Sequence, residues 1–389
     1  MGALRLFLIA GEPSGDRLGA ALMAGLRQLV PDVVFCGVGG PLMQAHGLES
    51  LFPMEELSVM GIAEVLPKYR QLKRRIREAA QAAITLDVDA LITIDSPDFC
   101  LRVARLVKDA RPDLRTIHYV APSVWAWRPG RAAKMARVID HVLAILPFEP
   151  PLMTAAGMSC DFVGHPVVAE TLATPGQAAA LKADLRADPL ILALPGSRRG
   201  EVARLAPVLG QVIAQVQARH PGVQVALPTV RGVEALVREL TSGWAVQPRI
   251  ILNDDAKRAA FAAADVAIAA SGTVSLELAA NGCPMVIAYD MHPFSFWLMQ
   301  RAALIDTVTL VNLVTDTRVI PEFLGPRCRA DLIAPQLLSL LEDASAQTAQ
   351  VQAMQVTMER LGRGQEAPGL RAARSVLRAL DLGDLSQGL

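Results

Sequence analysis

The sequence predicts an α/β protein built from two doubly wound domains. Three observations carry this. The chain has 389 residues, more than one ordinary hydrophobic core organises. Short runs of consecutive apolar residues, the pattern of parallel strands buried on both faces, alternate with helical patterns. That alternation occurs twice, before and after a stretch of chain breakers. Hydrophobic residues make up 52% of the chain and aromatics only 4%, so Ala, Leu, Val and Ile fill both cores.

In chain order, strands are expected at 5–9, 33–36, 90–94, 116–119, 142–145 and 161–163 in the first half. In the second half they are expected at 190–194, 223–227, 250–252, 266–269 and 285–288. Between the halves stand Gly164-His165-Pro166, Thr174-Pro175-Gly176 and Asp188-Pro189, all breaker signals. This places a first domain at 1–165, a second at 166–365, and a tail at 366–389 with a helix over 370–380.

Bulk properties exclude several classes. Lys plus Arg and Asp plus Glu are 38 each, so there is no global basic field for nucleic acid. The five cysteines, at 36, 100, 160, 283 and 328, are odd in number and form no C-x-x-C pair. That argues against a disulfide framework or a zinc site and for a reducing compartment. The apolar start, Leu4 to Ala10, is too short for a signal sequence and runs into a turn. No apolar stretch is long enough to span a bilayer.

The motifs follow the predicted strands. Gly11-Glu12-Pro13-Ser14-Gly15-Asp16 follows the first strand and opens a helix, where backbone N–H groups can approach a ligand; Ser14 or Asp16 is expected to cap that helix. Asp95-Ser96-Pro97-Asp98 follows the strand at 90–94. One of these carboxylates is expected to cap a helix and the other to act as a general base, in an order the residues alone leave open. Trp125-Ala126-Trp127-Arg128 suits stacking and anion contact. Arg128, Arg131, Lys134 and Arg137 recur every third residue as a basic stripe, which a solvated helix face explains equally well.

In the second half, Leu194-Pro195-Gly196-Ser197-Arg198 resembles a phosphate cradle, although it lacks the ending of a P-loop. Ser271-Gly272-Thr273 opens a helix that carries Glu277 one turn on. This suits a nucleotide, and a capping box is the competing reading. Asn312 lies in an apolar run and needs a polar partner. Phe294-Ser295-Phe296-Trp297 with Arg301 begins a helix, and core packing is expected for Phe296. Finally, Val59, Met60, Ile62, Val65 and Leu66 precede Lys68, Arg70, Lys73, Arg74, Arg75 and Arg77. An apolar segment followed by dense cations suits an anionic lipid surface, and the competing reading is a core-packed helix with a charged outer face.

Taken in order, these segments resemble the lipid-A-disaccharide synthases, glycosyltransferases of family 19 with the GT-B fold. The carriers are GEPSGD at 11–16, VMGIAEV at 59–65, DSPDF at 95–99, HYVAPSVWAWR at 118–128, LPFE at 146–149, GHP at 164–166, LPGSR at 194–198, ASGTVSLE at 270–277 and PFSFWL at 293–298. The resemblance covers nearly the whole chain. It implies two Rossmann-like domains facing a central cleft. It also implies a UDP-2,3-diacylglucosamine donor, an acceptor 2,3-diacylglucosamine 1-phosphate (lipid X), and inversion to a β-1,6 disaccharide phosphate without a metal or other cofactor.

By the same resemblance Asp98 is the base and Ser14 lies near the reacting groups. Gly11, Glu12, Arg198, Ser271, Gly272, Thr273, Glu277 and Asn312 bind substrate or UDP. The segment from Val59 to Arg77 meets the membrane, which places a cytoplasmic enzyme at the inner face of the inner membrane. The tail helix is expected to cross back to the first domain, and a homodimer is left open. The sequence departs from the family at His292, where a cation is expected, and at Val311, where relatives commonly carry Pro. Two other classes stay in view: another UDP-N-acetylglucosamine enzyme such as a 2-epimerase or a lipid-linked transferase, and a non-catalytic peripheral membrane protein.

Overall fold

The structure, a computed structural model, describes residues 3–57 and 62–382, with side chains left undescribed over 62–68. The chain divides into two compact units, Met1–Ala169 with Gly364–Leu389, and Glu170–Arg363.

Unit 1 is a parallel sheet of β1 (Arg5–Ala10), β2 (Val34–Val38), β3 (Glu49–Ser50), β4 (Ala90–Ile94), β5 (Arg115–Tyr119), β6 (His141–Ala144) and β7 (Ser159–Phe162). Its spatial order is β3-β2-β1-β4-β5-β6-β7. The interleaved helices are α1 (Pro13–Leu29), α2 (Pro41–Ala45), α3 (Ile62–Thr85), α4 (Pro97–Ala110), α5 (Gly130–Met135) and α6 (Pro150–Ala155). Alternation along β1 sorts the two faces: Leu6 and Leu8 join the core under α1, while Phe7 and Ile9 join the core under α3 and α4. Both sets are fully buried, which is why β1 reads as a continuous apolar run.

Unit 2 repeats the plan with β8 (Leu190–Leu194), β9 (Gln224–Pro228), β10 (Arg249–Ile251), β11 (Val266–Ala269), β12 (Met285–Tyr289) and β13 (Glu322–Leu324). All its neighbours are parallel, in the order β10-β9-β8-β11-β12-β13. Its helices are α7 (Pro175–Leu185), α8 (Arg199–Arg219), α9 (Glu234–Thr241), α10 (Asp254–Ala263), α11 (Val274–Asn281), α12 (Pro293–Ala302), α13 (Leu310–Thr315), α14 (Ala330–Glu342) and α15 (Ala344–Arg360).

The chain then returns to unit 1 as α16 (Pro368–Ala379), which packs on α1. Ala372, Ala373, Val376 and Leu377 are buried there with Leu22 and Leu26. The helices meet through glycines: a Cβ on Gly25 would lie 2.6 Å from the carbonyl oxygen of Gly369. A polar lock reinforces the contact. The Ser375 hydroxyl donates to Asp161 at 2.7 Å and lies 2.8 Å from Nε2 of His141.

Two edge strands escape the sequence pattern. β3 has two residues and β13 three, too short to show periodicity. In both sheets the strand order reverses once, between β1 and β4 in unit 1 and between β8 and β11 in unit 2. Open α/β sheets bind ligands beyond the strands' carboxyl ends at such a reversal.

Candidate active site

In unit 1 the reversal is framed by the loops after β1 and β4. Gly11 is buried and meets the second loop so closely that a Cβ would fall 2.7 Å from Oγ of Ser96. The Ser14 hydroxyl donates to Oδ2 of Asp95 at 3.3 Å, tying the two loops together. Asp95 and Ser96 are both left-handed, with φ of 53° and 43°. Two consecutive non-glycine residues there store about 1–3 kcal/mol each. That turn delivers the chain from β4 straight into α4, with Pro97 at its start and Asp98 exposed in its first turn. No hydrogen bond or ion pair to the Asp98 carboxylate is seen among the described residues.

The capping expectations change. Glu12 stands at the N-cap of α1 and Ser96 at that of α4, and neither supplies a side-chain cap. Asp16 does not cap its own helix. It is 3% exposed and its carboxylate accepts the N–H groups of Gly40, Leu42 and Met43. It thus caps α2 and fixes the loop after β2. Neither Asp95 nor Asp98 caps α4 through a side chain: Asp95 holds the Ser14 hydroxyl, and Asp98 stands exposed at the carboxyl end of the sheet.

The next two loops are joined by Glu149, to which the LPFE pattern alone assigns no role. Glu149 is buried; it accepts from Nε1 of Trp125 at 3.2 Å and from the backbone N–H of Leu146 at 3.0 Å. Trp125 also meets Phe148 edge to face, centroids 5.3 Å apart. Glu149 therefore joins the PSVWAWR and LPFE segments into one support. Burial pushes its carboxyl up to about 7, against the pull of the Leu146 N–H and the Trp125 indole. His118 is likewise pushed down to about 4 by burial, so it is a neutral partner of Thr93, 2.7 Å away.

The expected basic stripe is not continuous, because α5 spans only Gly130–Met135 and leaves Arg128 and Arg137 off the helix. Arg128 instead stacks on Trp127, 4.2 Å from the ring centroid.

Because Glu149 holds its proton in the folded state up to about pH 7 and near its ordinary carboxylate range when unfolded, its contribution to stability falls as pH rises through that window. Relative to Glu149→Gln, the wild type is expected to lose up to about 3 kcal/mol between pH 5 and pH 8. Unfolding transitions of both proteins at the two pH values measure this. A gap that does not change with pH would reject it.

In unit 2 the loops after β8 and β11 frame the reversal. After β8, the Glu201 carboxylate accepts the N–H groups of Ser197 and Arg198 at 3.2 and 3.3 Å and pairs with Nη1 of Arg198 at 3.1 Å. This is a cradle in which a carboxylate already takes the anion's place, with the Arg198 side chain largely exposed beside it. After β11, Ser271 is half-buried and Gly272 and Thr273 are exposed at the start of α11. The capping-box reading fails: Thr273 makes no side-chain cap, and Glu277 pairs with Lys257 at 2.6 Å. Lys257, on α10, is a second residue that the sequence did not single out, since nothing local links it to Glu277.

Asn312 stands on α13. It is 1% exposed, its amide donates to Oγ1 of Thr307 and to the carbonyl of Ile320, and its oxygen accepts the N–H of Ile320. Both ends of the amide are bonded within unit 2, to Thr307 and Ile320. His292 accepts the N–H of Phe294 as the cap of α12.

The cationic segment divides as well. Val59 and Met60 lie outside the described residues, as do the side chains of Ile62, Val65, Leu66 and Lys68. Arg70, Lys73, Arg74 and Arg77 fall on one face of α3 and line a shallow depression of about 740 Å³ with Glu78 and Gln81. Ile76, Ala79, Ala80 and Ala83 face the core. Arg75 does not join the outward cations. It forms a bidentate pair with Glu56 at 2.8 Å, bonds Glu78 at 2.7 Å, and stacks on Phe52. No helix among the described residues is long and apolar enough to cross a membrane. No group of three or more His, Cys, Asp or Glu that could hold a metal is found among them.

Comparison with known proteins gives a consistent result. A family model described as lipid-A-disaccharide synthetase matches residues 6–373. The lipid-A-disaccharide synthase of Ruegeria pomeroyi is 61% identical over 387 residues, 97% of this chain and 96% of that protein. The synthase of Rhodospirillum centenum is 45% identical, covering 98% and 96%. Among solved structures, the UDP-GlcNAc 2-epimerase of Neisseria meningitidis bound to UDP-GlcNAc aligns with a TM-score of 0.61 at 10% identity, covering 98% of this chain and 100% of that one. The calicheamicin glycosyltransferase CalG4 aligns at 0.57 and 15%, covering 98% and 99%. At such identities the structural likeness establishes the fold, which is GT-B.

Proposed function

The chain belongs to the lipid-A-disaccharide synthetase family, a glycosyltransferase family of lipid A biosynthesis, and from that premise we propose the reaction and the residues that perform it. The donor is UDP-2,3-diacylglucosamine and the acceptor is 2,3-diacylglucosamine 1-phosphate. The products are UDP and the β-1,6-linked disaccharide 1-phosphate. The observation that carries the reading is Asp98, an exposed carboxylate without a partner among the described residues, held at the strand-order reversal of unit 1 by a strained, braced turn.

The step is a single displacement. Asp98 takes the proton of the acceptor 6-hydroxyl, and that oxygen attacks the donor's anomeric carbon from the side opposite UDP. The bond from that carbon to the diphosphate oxygen breaks and UDP leaves with the electron pair. An α-linked donor therefore gives a β product. Unit 2 supplies the donor contacts in this reading. Arg198 and the N–H of Gly272 stabilise the leaving diphosphate, and Glu277, oriented by Lys257, accepts the ribose hydroxyls. Ser14 acts through Asp95 on the turn that positions Asp98. The step as proposed uses no metal. The cations along α3 hold the enzyme on the anionic inner face of the inner membrane, where both acylated substrates reside.

The test is direct. Purified protein given both acylated substrates is expected to release disaccharide 1-phosphate and UDP in equal amounts. Donor binding without disaccharide would overturn the synthase reading, and conversion of UDP-GlcNAc to its 2-epimer would support the epimerase class instead.

A further inference from the structure

Helix α12 presents an apolar surface to solvent. Phe294 is 65% exposed, Leu298 55%, Met299 48% and Trp297 47%, and Leu304, just beyond the helix, is 59% exposed. Phe294, Trp297, Leu298 and Arg301 are spaced to share one face. Phe296 turns away from it and lies over Gly325, where a Cβ would meet the ring at 2.7 Å. The outward face is internally ordered. The rings of Phe294 and Trp297 stack at 5.9 Å, and the Arg301 guanidinium lies 4.2 Å from the Trp297 centroid.

Two occupants could cover this face, and its charge distinguishes them. α12 contains no Asp or Glu, and the turn it packs against, Gly325–Arg327, adds the exposed Arg327. A second copy seated here about a two-fold axis would set Arg301 and Arg327 near their own images. One ten-residue helix face also falls short of the roughly 800 Å² per partner of a stable interface. Stacked aromatics flanked by cations instead match an anionic bilayer surface, where rings sit at the headgroup level and guanidinium groups meet phosphate.

We propose that α12 is a lipid-contact element of unit 2, seated on the anionic bilayer surface independently of the cations on α3. It rests on the reading above, in which the donor is a lipid that must be met at a bilayer.

The experiment uses the full chain and vesicles of phosphatidylglycerol and phosphatidylethanolamine in equal parts. Leu298→Cys carrying the environment-sensitive dye NBD is expected to brighten several-fold on vesicles and to be quenched by brominated acyl chains. The same response is expected when Arg70, Lys73, Arg74 and Arg77 are replaced by Gln, at vesicle concentrations that restore binding. The combined variant Phe294→Ser, Trp297→Ser, Leu298→Ser is expected to lose about tenfold in vesicle affinity with UDP binding unchanged.

If the unmutated protein binds vesicles while the dye stays dark, α12 is not a contact and the lipid-substrate reading stands. If the unmutated protein ignores vesicles, the bilayer contact fails at both sites, and turnover on detergent-dispersed substrates then judges the synthase reading separately. Brightening that depends on protein concentration without vesicles assigns the face to a second copy and overturns the proposal.

Discussion

Asp98→Asn is expected to lower turnover by about 10²–10⁴-fold, the range lost when a positioned general base is removed. The substitution keeps shape and size but cannot accept the 6-hydroxyl proton. Its structural cost is small, because Asp98 is exposed and bears no bond that Asn would break among the described residues. What it surrenders is a favourable charge in the first turn of α4, worth about 0.3–1 kcal/mol. UDP affinity is expected to stay within about twofold, because the proposed UDP contacts are made by residues of unit 2 and none by Asp98. Asp95→Asn is the necessary comparison, since Asp95 carries the Ser14 bond and the left-handed turn. Near-normal turnover in Asp98→Asn with collapse in Asp95→Asn would move the base to Asp95.

Arg198→Ala is expected to lower kcat by about 10²–10³-fold, the effect of deleting one donor aimed at developing charge. The structure separates the guanidinium from the loop that bears it. The loop is tied by its own N–H groups to Glu201, so removing the side chain leaves the cradle's backbone in place. The loss should therefore fall on kcat more than on UDP binding. Arg198→Lys should recover part of it, since Lys restores the charge without the two-pronged geometry. An unchanged kcat would remove Arg198 from the leaving-group contacts.

The doubly wound plan was legible because both sheets are parallel and covered on two faces, so strands such as β1, β4 and β8 are predominantly apolar runs without strict alternation. The loops at each strand-order reversal were legible for the same reason, since small polar residues end those runs abruptly. Partnerships were not legible. Asp16 looks like a cap for its own helix until the chain from Gly40 to Met43 is brought against it. Asn312 in an apolar run signals a polar demand, but not whether a ligand or Ile320 meets it. Arg75 is one of many cations on α3, and only the approach of Glu56 makes it structural. Glu149 closes the LPFE segment, yet its burial depends on Trp125, 24 residues away.

The return of α16 to α1 has a consequence for synthesis on the ribosome. Unit 2 is one continuous stretch, Glu170–Arg363, whereas unit 1 is assembled from both ends of the chain. The second unit to be translated is thus the first to have all of its residues. The first must wait, with Leu22 and Leu26 lacking their partners Ala372, Val376 and Leu377, until α16 emerges. Vectorial folding here runs against the order of translation, and the nascent chain carries an unsealed apolar groove on α1 through most of its elongation.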